Sequence, residues 1–249
     1  MAVGTRETVW KRGLSPTSGL TVVLGFLTLF FGIRGYAYLV PASPPWLAPV
    51  GFVVMAATPW IVFNRRGRRE AGLVRARSVA DYGVGALAGA LAALVCFLVG
   101  IALFGETADN WFMTVAATYH ARDPGGLSTL TLHLIFTLPA LIFSPVGEEL
   151  YFRGTLLRSL EEKTSRRTAT LLQAAAFGLL HIFHHGLSRG PDGVRLLALS
   201  GLIWVVLMFG SALVFAWARE RSGSLYPAMV SHASFNLVMN MFIFSFLWS

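Results

Sequence analysis

The sequence predicts an all-α protein, a polytopic membrane helix bundle with seven or eight transmembrane helices. Three observations carry this. The 249 residues are 55% hydrophobic and only 13% charged, about half the charge of an ordinary soluble domain. Several apolar runs approach the ~20 residues that a helix needs to cross a bilayer. The arginines gather in short segments between those runs, as they do in cytoplasmic loops. No segment alternates in the manner of a membrane β-barrel. The net charge of +8 belongs to these loops, so the expected partner is the lipid bilayer and not nucleic acid. Cys96 is the only cysteine; an internal disulfide is impossible and no thiolate metal site is suggested.

In chain order, residues 1–18 are polar and carry Arg6, Lys11 and Arg12, an inside tail. The first span covers 19–40, too long for the core of a signal peptide and so read as a retained anchor. Arg34 near its outer end reads as a snorkelling side chain. A short turn beginning at Pro41 leads to a second span over 46–63. The run 64–69 contributes four arginines, followed by Arg75 and Arg77, the strongest inside marker. The third span covers 81–104, where Gly85 and Gly89 have the small-xxx-small spacing of close helix packing. Residues 105–128 are mixed. Trp111, Phe112, Met113 and Tyr119 suggest an amphipathic segment on the outer interface. A fourth run starts near 127. Pro139 and Pro145 either bend it or divide it into two helices, hence seven or eight. The remaining spans are 168–184, 196–217 and 225–248, with 185–194, including Pro191, as an outer loop. Trp46, Trp60, Trp217 and Trp248 fall near span ends, as an aromatic belt requires. The chain reads as one integral membrane domain, 1–249. Residues 1–128 complete the bundle and 129–249 hold the chemistry.

That chemistry starts at Glu148, Glu149 and Arg153, ionisable groups beside lipid-soluble sequence, where charge is expensive. Counted from the nearest basic loop, Glu148, His181 and His232 lie about 15, 21 and 16 Å along their helices. All fall near the middle of a ~30 Å core, with Asn236 one turn beyond His232. Three spans that place polar groups at one depth imply a shared polar cavity. Glu149 and Arg153, at i and i+4, can pair. Glu148 projects about 100° away and is free for chemistry. Two arrangements stay open. Glu148 and His181 can activate water while His232 and Asn236 stabilise an oxyanion. Alternatively Glu148, His181 and His232 can hold Zn²⁺, although no HExxH is present. His181 and His185 share metal-ligand spacing, but His184 and His185 read as interfacial residues.

Glu148-Glu-Leu-Tyr-Phe-Arg153 fits EExxxR, Phe177-Gly-Leu-Leu-His181 fits FxxxH, and His232-Ala-Ser-Phe-Asn236 fits HxxxN. In this order on late spans they resemble the CAAX prenyl protease and bacteriocin-processing family of intramembrane endopeptidases. The resemblance covers residues 130–245. It implies hydrolysis of a peptide bond in a membrane-embedded protein or peptide, such as a C-terminal tail. It assigns water activation to Glu148 and His181, and oxyanion stabilisation to His232 and Asn236. Metal dependence stays open, because the family has been described both ways. The arginine-rich composition fits a bacterial inner-membrane protein with its N-terminus inside. The competing classes are a non-catalytic immunity or partner protein of the same fold, and a proton or ion transporter, which would also use mid-membrane charge.

Overall fold

The chain starts and stops its helices at polar punctuation. A computed structural model describes residues 8–40, 42–190 and 193–248; Arg6, Pro41 and Pro191 lie outside them. Helix α1 (Pro16–Leu39) begins on a capping box in which Ser15 and Ser18 satisfy each other's free backbone N–H groups, with Pro16 at the first helical position. After α2 (Leu47–Val62), Asn64 caps the short α3 (Arg65–Glu70). Helices α4 (Ala80–Phe104) and α5 (Trp111–His120) follow, the latter capped by Asn110. Ser128 caps α6 (Thr129–Glu148), which runs through a π-helical stretch (Glu149–Leu156) into α7 (Leu157–Glu161). Ser165 caps α8 (Arg166–Leu180), which tightens into a 3₁₀ turn (His181–Phe183). Helix α9 (Ala198–Ser222) ends on Gly223 with φ of +69°, a left-handed conformation that glycine adopts freely. Ser224 then caps α10 (Leu225–Phe242).

The protein is integral to the membrane and nearly all-α. Among the described residues, five helical runs are long and apolar enough to cross a bilayer: α1, α4, the continuous Thr129–Glu161 run, α9, and α10 with its continuation to Leu247. Helices α2 and α8, at 16 and 15 residues, fall short of that length. The spans expected over 46–63 and 168–184 are therefore shorter than the sequence suggested. Pro139 and Pro145 do not divide the fourth run, which continues from Thr129 to Glu161. The outer loop expected over 185–194 is instead a hairpin, in which β1 (Leu187–Gly190) pairs antiparallel with β2 (Gly193–Leu196). Helix α5 does not lie on the interface as expected. Trp111 and Phe112 are fully buried against Trp204 and Phe97, because an aromatic pair gains more from dry packing than from the membrane surface.

The most intimate helix pair is α4 with α10. A Cβ on Gly85 would come within 2.7 Å of the Pro227 carbonyl oxygen, and one on Gly89 would overlap the Ser231 carbonyl. The small-xxx-small spacing thus does what it predicted, and it seats the residue before His232. Trp46, Trp60 and Trp217 are exposed near helix ends. The basic segments gather at one end of the bundle. Trp10 bridges Phe63, Lys163 Nζ donates to Thr17, Arg158 pairs with Glu70, and Arg219 donates to the Ala71 carbonyl.

Candidate active site

The Glu148–Glu149 pair is split by the backbone that carries it. Pro145 lacks an N–H and Gly147 packs against the Phe52 backbone. From Glu149 the helix widens to π geometry, marked by the Thr155 hydroxyl donating to the Leu150 carbonyl five residues back at 3.0 Å. Such widened turns re-aim side chains. Glu148 and Glu149 are both fully buried, as is Arg153, yet they meet different partners.

Glu149 Oε1 lies 2.9 Å from Arg153 Nη1 and 2.9 Å from His232 Nδ1. The i, i+4 pair expected from the sequence is present as a charge contact: no Arg153 nitrogen makes an aligned hydrogen bond within the described residues. The guanidinium lies between rings instead, 4.2 Å from the Phe177 centroid and 5.2 Å from that of Phe215. Phe215 also stacks on His232 at 4.7 Å. With Glu149 as acceptor, His232 carries a proton on Nδ1, and its Nε2 lies 3.9 Å from Glu148 Oε2.

Glu148 Oε1 receives Arg34 Nη2 at 2.5 Å. Arg34 is 5% exposed, its guanidinium lies over Phe52 at 5.2 Å, and its other terminal nitrogen meets His184 Nε2. Snorkelling is therefore the wrong reading of Arg34: a carboxylate buried one helix away makes an inward route cheaper than an outward one. The same contact corrects His184, which packs against Arg34, Tyr38 and His181 and does not sit at the interface. His185 is also fully buried, held between the hydroxyls of Thr114 and Ser200 at 2.8 and 2.9 Å. Both of its ring nitrogens are engaged in this way, which leaves none for a His181–His185 ligand pair. Arg34 had one signal in the sequence: it is the single charge between Arg12 and Arg65.

His181 donates Nδ1–H to the Phe177 carbonyl at 2.8 Å, which leaves Nε2 as an acceptor in the neutral ring. Asn236 Nδ2 donates to the Ala140 carbonyl at 2.9 Å and so ties α10 to α6. His181, His232 and Asn236 line a single cavity of about 260 Å³ together with Phe177, Phe215, Trp204, Pro139 and Phe143. Glu148, Glu149 and Arg153 lie behind its wall. The structure therefore brings all six sequence-selected residues to one place, in two layers. As for a metal, no three His, Cys, Asp or Glu side chains among the described residues are grouped to hold an ion, and Arg34 already occupies Glu148 Oε1. The proposed Glu148, His181 and His232 ligand set does not fit this arrangement.

Residues 130–238 match the family model described as type II CAAX prenyl endopeptidase, Rce1-like. This segment runs from α6 into α10 and contains all three motifs. No curated protein and no solved structure matches the chain. The matched segment is the one whose motifs carry the resemblance, and the model it matches is one of endopeptidases.

Proposed function

We propose that this membrane protein, with its Rce1-like domain, is an intramembrane endopeptidase that cuts a membrane-anchored protein or peptide by glutamate-assisted attack of water. The observation that carries the reading is the gap of 3.9 Å between Glu148 Oε2 and His232 Nε2. It is too long for a hydrogen bond, so neither atom is spent on the other and both can turn to a water at the cavity wall. Glu148 Oε2 has no other partner among the described residues, because Arg34 holds Oε1.

In this mechanism Glu148 Oε2 takes a proton from the water as its oxygen bonds to the scissile carbonyl carbon. His181 Nε2, an acceptor on the cavity wall, orients that water. His232, protonated on both nitrogens and held by Glu149, donates Nε2–H to the resulting oxyanion. Asn236 assists if its amide turns from Ala140 to the substrate. Collapse breaks the C–N bond, and the proton on Glu148 passes to the leaving amine. No step requires a metal, so processing is expected to persist with 1,10-phenanthroline. Loss that Zn²⁺ restores would sink the metal-free route.

The primary test compares protein termini in membranes of cells that carry the wild-type chain or Glu148→Gln. Termini generated by the enzyme should disappear in Glu148→Gln and His181→Ala, with turnover lowered by at least about 100-fold, the usual contribution of a general base. Folded variants that leave every terminus in place would refute the reading.

A further inference from the structure

The wall of the cavity and the charge of the molecule point in opposite directions. The lysines and arginines of residues 11–12, 64–77, 158–167 and 219–221 share one end of the bundle, joined there by the Arg158–Glu70 and Lys163–Thr17 contacts. Toward the other end the described residues offer Arg122, Arg189 and Arg195, with the buried Arg34 already paired to Glu148. So strong an asymmetry sets the basic end in the cytoplasm.

The cavity lies toward the other end. It is lined by Tyr38 from the last turn of α1, Ala48 and Pro49 from the first turn of α2, and Arg122 just past α5. Toward the basic end it is closed by the fully buried Glu148, Glu149, Phe152 and Arg153. The crossing of α2 and α6 is equally polarised. Helices α2 and α6 touch where Gly147 meets the Phe52 backbone, so closely that a Cβ would lie 2.6 Å from the Phe52 carbonyl oxygen. Away from that crossing, toward the outer ends, Pro49 on α2 and Pro139 and Phe143 on α6 line the cavity and are exposed. Phe143 keeps 45% of its surface exposed. An exposed residue in the wall of a cavity marks where the cavity can meet its surroundings.

We infer that the cavity is entered from the non-cytoplasmic side, through a slit between α2 and α6 that widens outward from the Phe52–Gly147 crossing. Its substrates are then proteins anchored in the membrane that present the scissile bond in the outer half of the bilayer or just beyond it. The inference rests on the peptidase reading for the word substrate, but not for the direction of the opening. The lining is mostly apolar, and Arg122 is the one arginine or lysine along it. This suits an apolar peptide segment that reaches down from the outer surface; a tail in the cytoplasm would meet the closed floor.

The opening is tested by single-cysteine labelling, since native Cys96 is buried. Arg122→Cys at the mouth, Met239→Cys on the inner wall and Arg69→Cys on the basic end are produced in bacterial cells and exposed to a membrane-impermeant maleimide. In intact cells opened only at the outer membrane, Arg122→Cys and Met239→Cys should label and Arg69→Cys should not. In inside-out vesicles the pattern should reverse. Met239→Cys that stays unreactive from outside, or reacts only in inside-out vesicles, overturns the inference. If Met239→Cys does not fold, Thr118→Cys on the opposite wall takes the same test. The termini lost in Glu148→Gln membranes give the second arm. They should map to non-cytoplasmic segments of their proteins, and cytoplasmic termini would overturn the inference while leaving the peptidase reading intact. Should no terminus depend on Glu148, the peptidase reading falls, and labelling alone decides the direction of the opening.

Discussion

Arg34 and Glu148 show how much a single contact between distant residues can carry. Both are buried, and each neutralises a charge that the other could not bear alone. Removing one partner of such a pair costs about 3–5 kcal/mol, because the survivor stays buried and uncompensated. Arg34→Gln should therefore lower the midpoint of thermal unfolding, and Arg34→Gln with Glu148→Gln should recover most of the loss. A double variant no more stable than Arg34→Gln would show that the two side chains are not coupled. The sequence offered Glu148, Glu149, Arg153, His181, His232 and Asn236, because helical spacing within each motif and equal depth across motifs can both be counted. It did not offer Arg34 as a partner. That pairing spans 114 positions, and no local period encodes it. The lone charge in the first apolar run was visible, but its direction depended on a helix that had not yet been placed.

At the scale of elements, glycine and proline decide where the polar layer sits. Gly89 lets α4 press on the Ser231 carbonyl, directly before His232. Gly89→Ala should push α10 outward and misplace the ring that faces Glu148. Overpacking of this kind costs about 1–3 kcal/mol, so Gly89→Ala should unfold at a lower temperature and process substrate more slowly. Gly83→Ala, with open space around it, is the control that should change neither. The basic loops carry a second link between elements. Glu70 on α3 accepts from Arg66 and from Arg158 on α7 at 2.7 and 2.8 Å. Burial alone would raise the Glu70 pKa, but the hydrogen bonds from Arg66 and Arg158 outweigh it and hold the group below its ordinary value of 4.5. A lowered native pKa gives stability that is present above 4.5 and lost as pH falls through the lower native value. Acid titration of thermal stability should therefore show a component below pH 4.5 that Glu70→Gln removes. Small-residue spacing and basic loops were legible from the sequence, because packing and topology depend on local composition. The burial of α5, the β1–β2 hairpin and the short reach of α2 and α8 were not, because each is set by what the segment packs against.

At the scale of the molecule, the two halves are interdependent although the family match covers only the second. The chain's first 128 residues supply Arg34 to Glu148, the Phe52 backbone against Gly147, and the whole of α4 against α10. Without them the second half would expose Glu148 with no counter-charge and would leave the α4 face of α10 bare. A buried carboxylate stripped of its partner and a large helix interface lost together exceed the 5–15 kcal/mol that ordinarily separates folded from unfolded protein. Residues 129–249 produced alone should therefore fail to form a monodisperse species in detergent, whereas co-production with residues 1–128 as a separate chain should restore one. The readout is cooperative thermal unfolding and elution at the size of the paired fragments. A 129–249 fragment that unfolds cooperatively at the midpoint of the full chain would show that the family domain stands by itself. Arg34 would then be an accessory to the site, and the outward slit between α2 and α6 would be dispensable for folding.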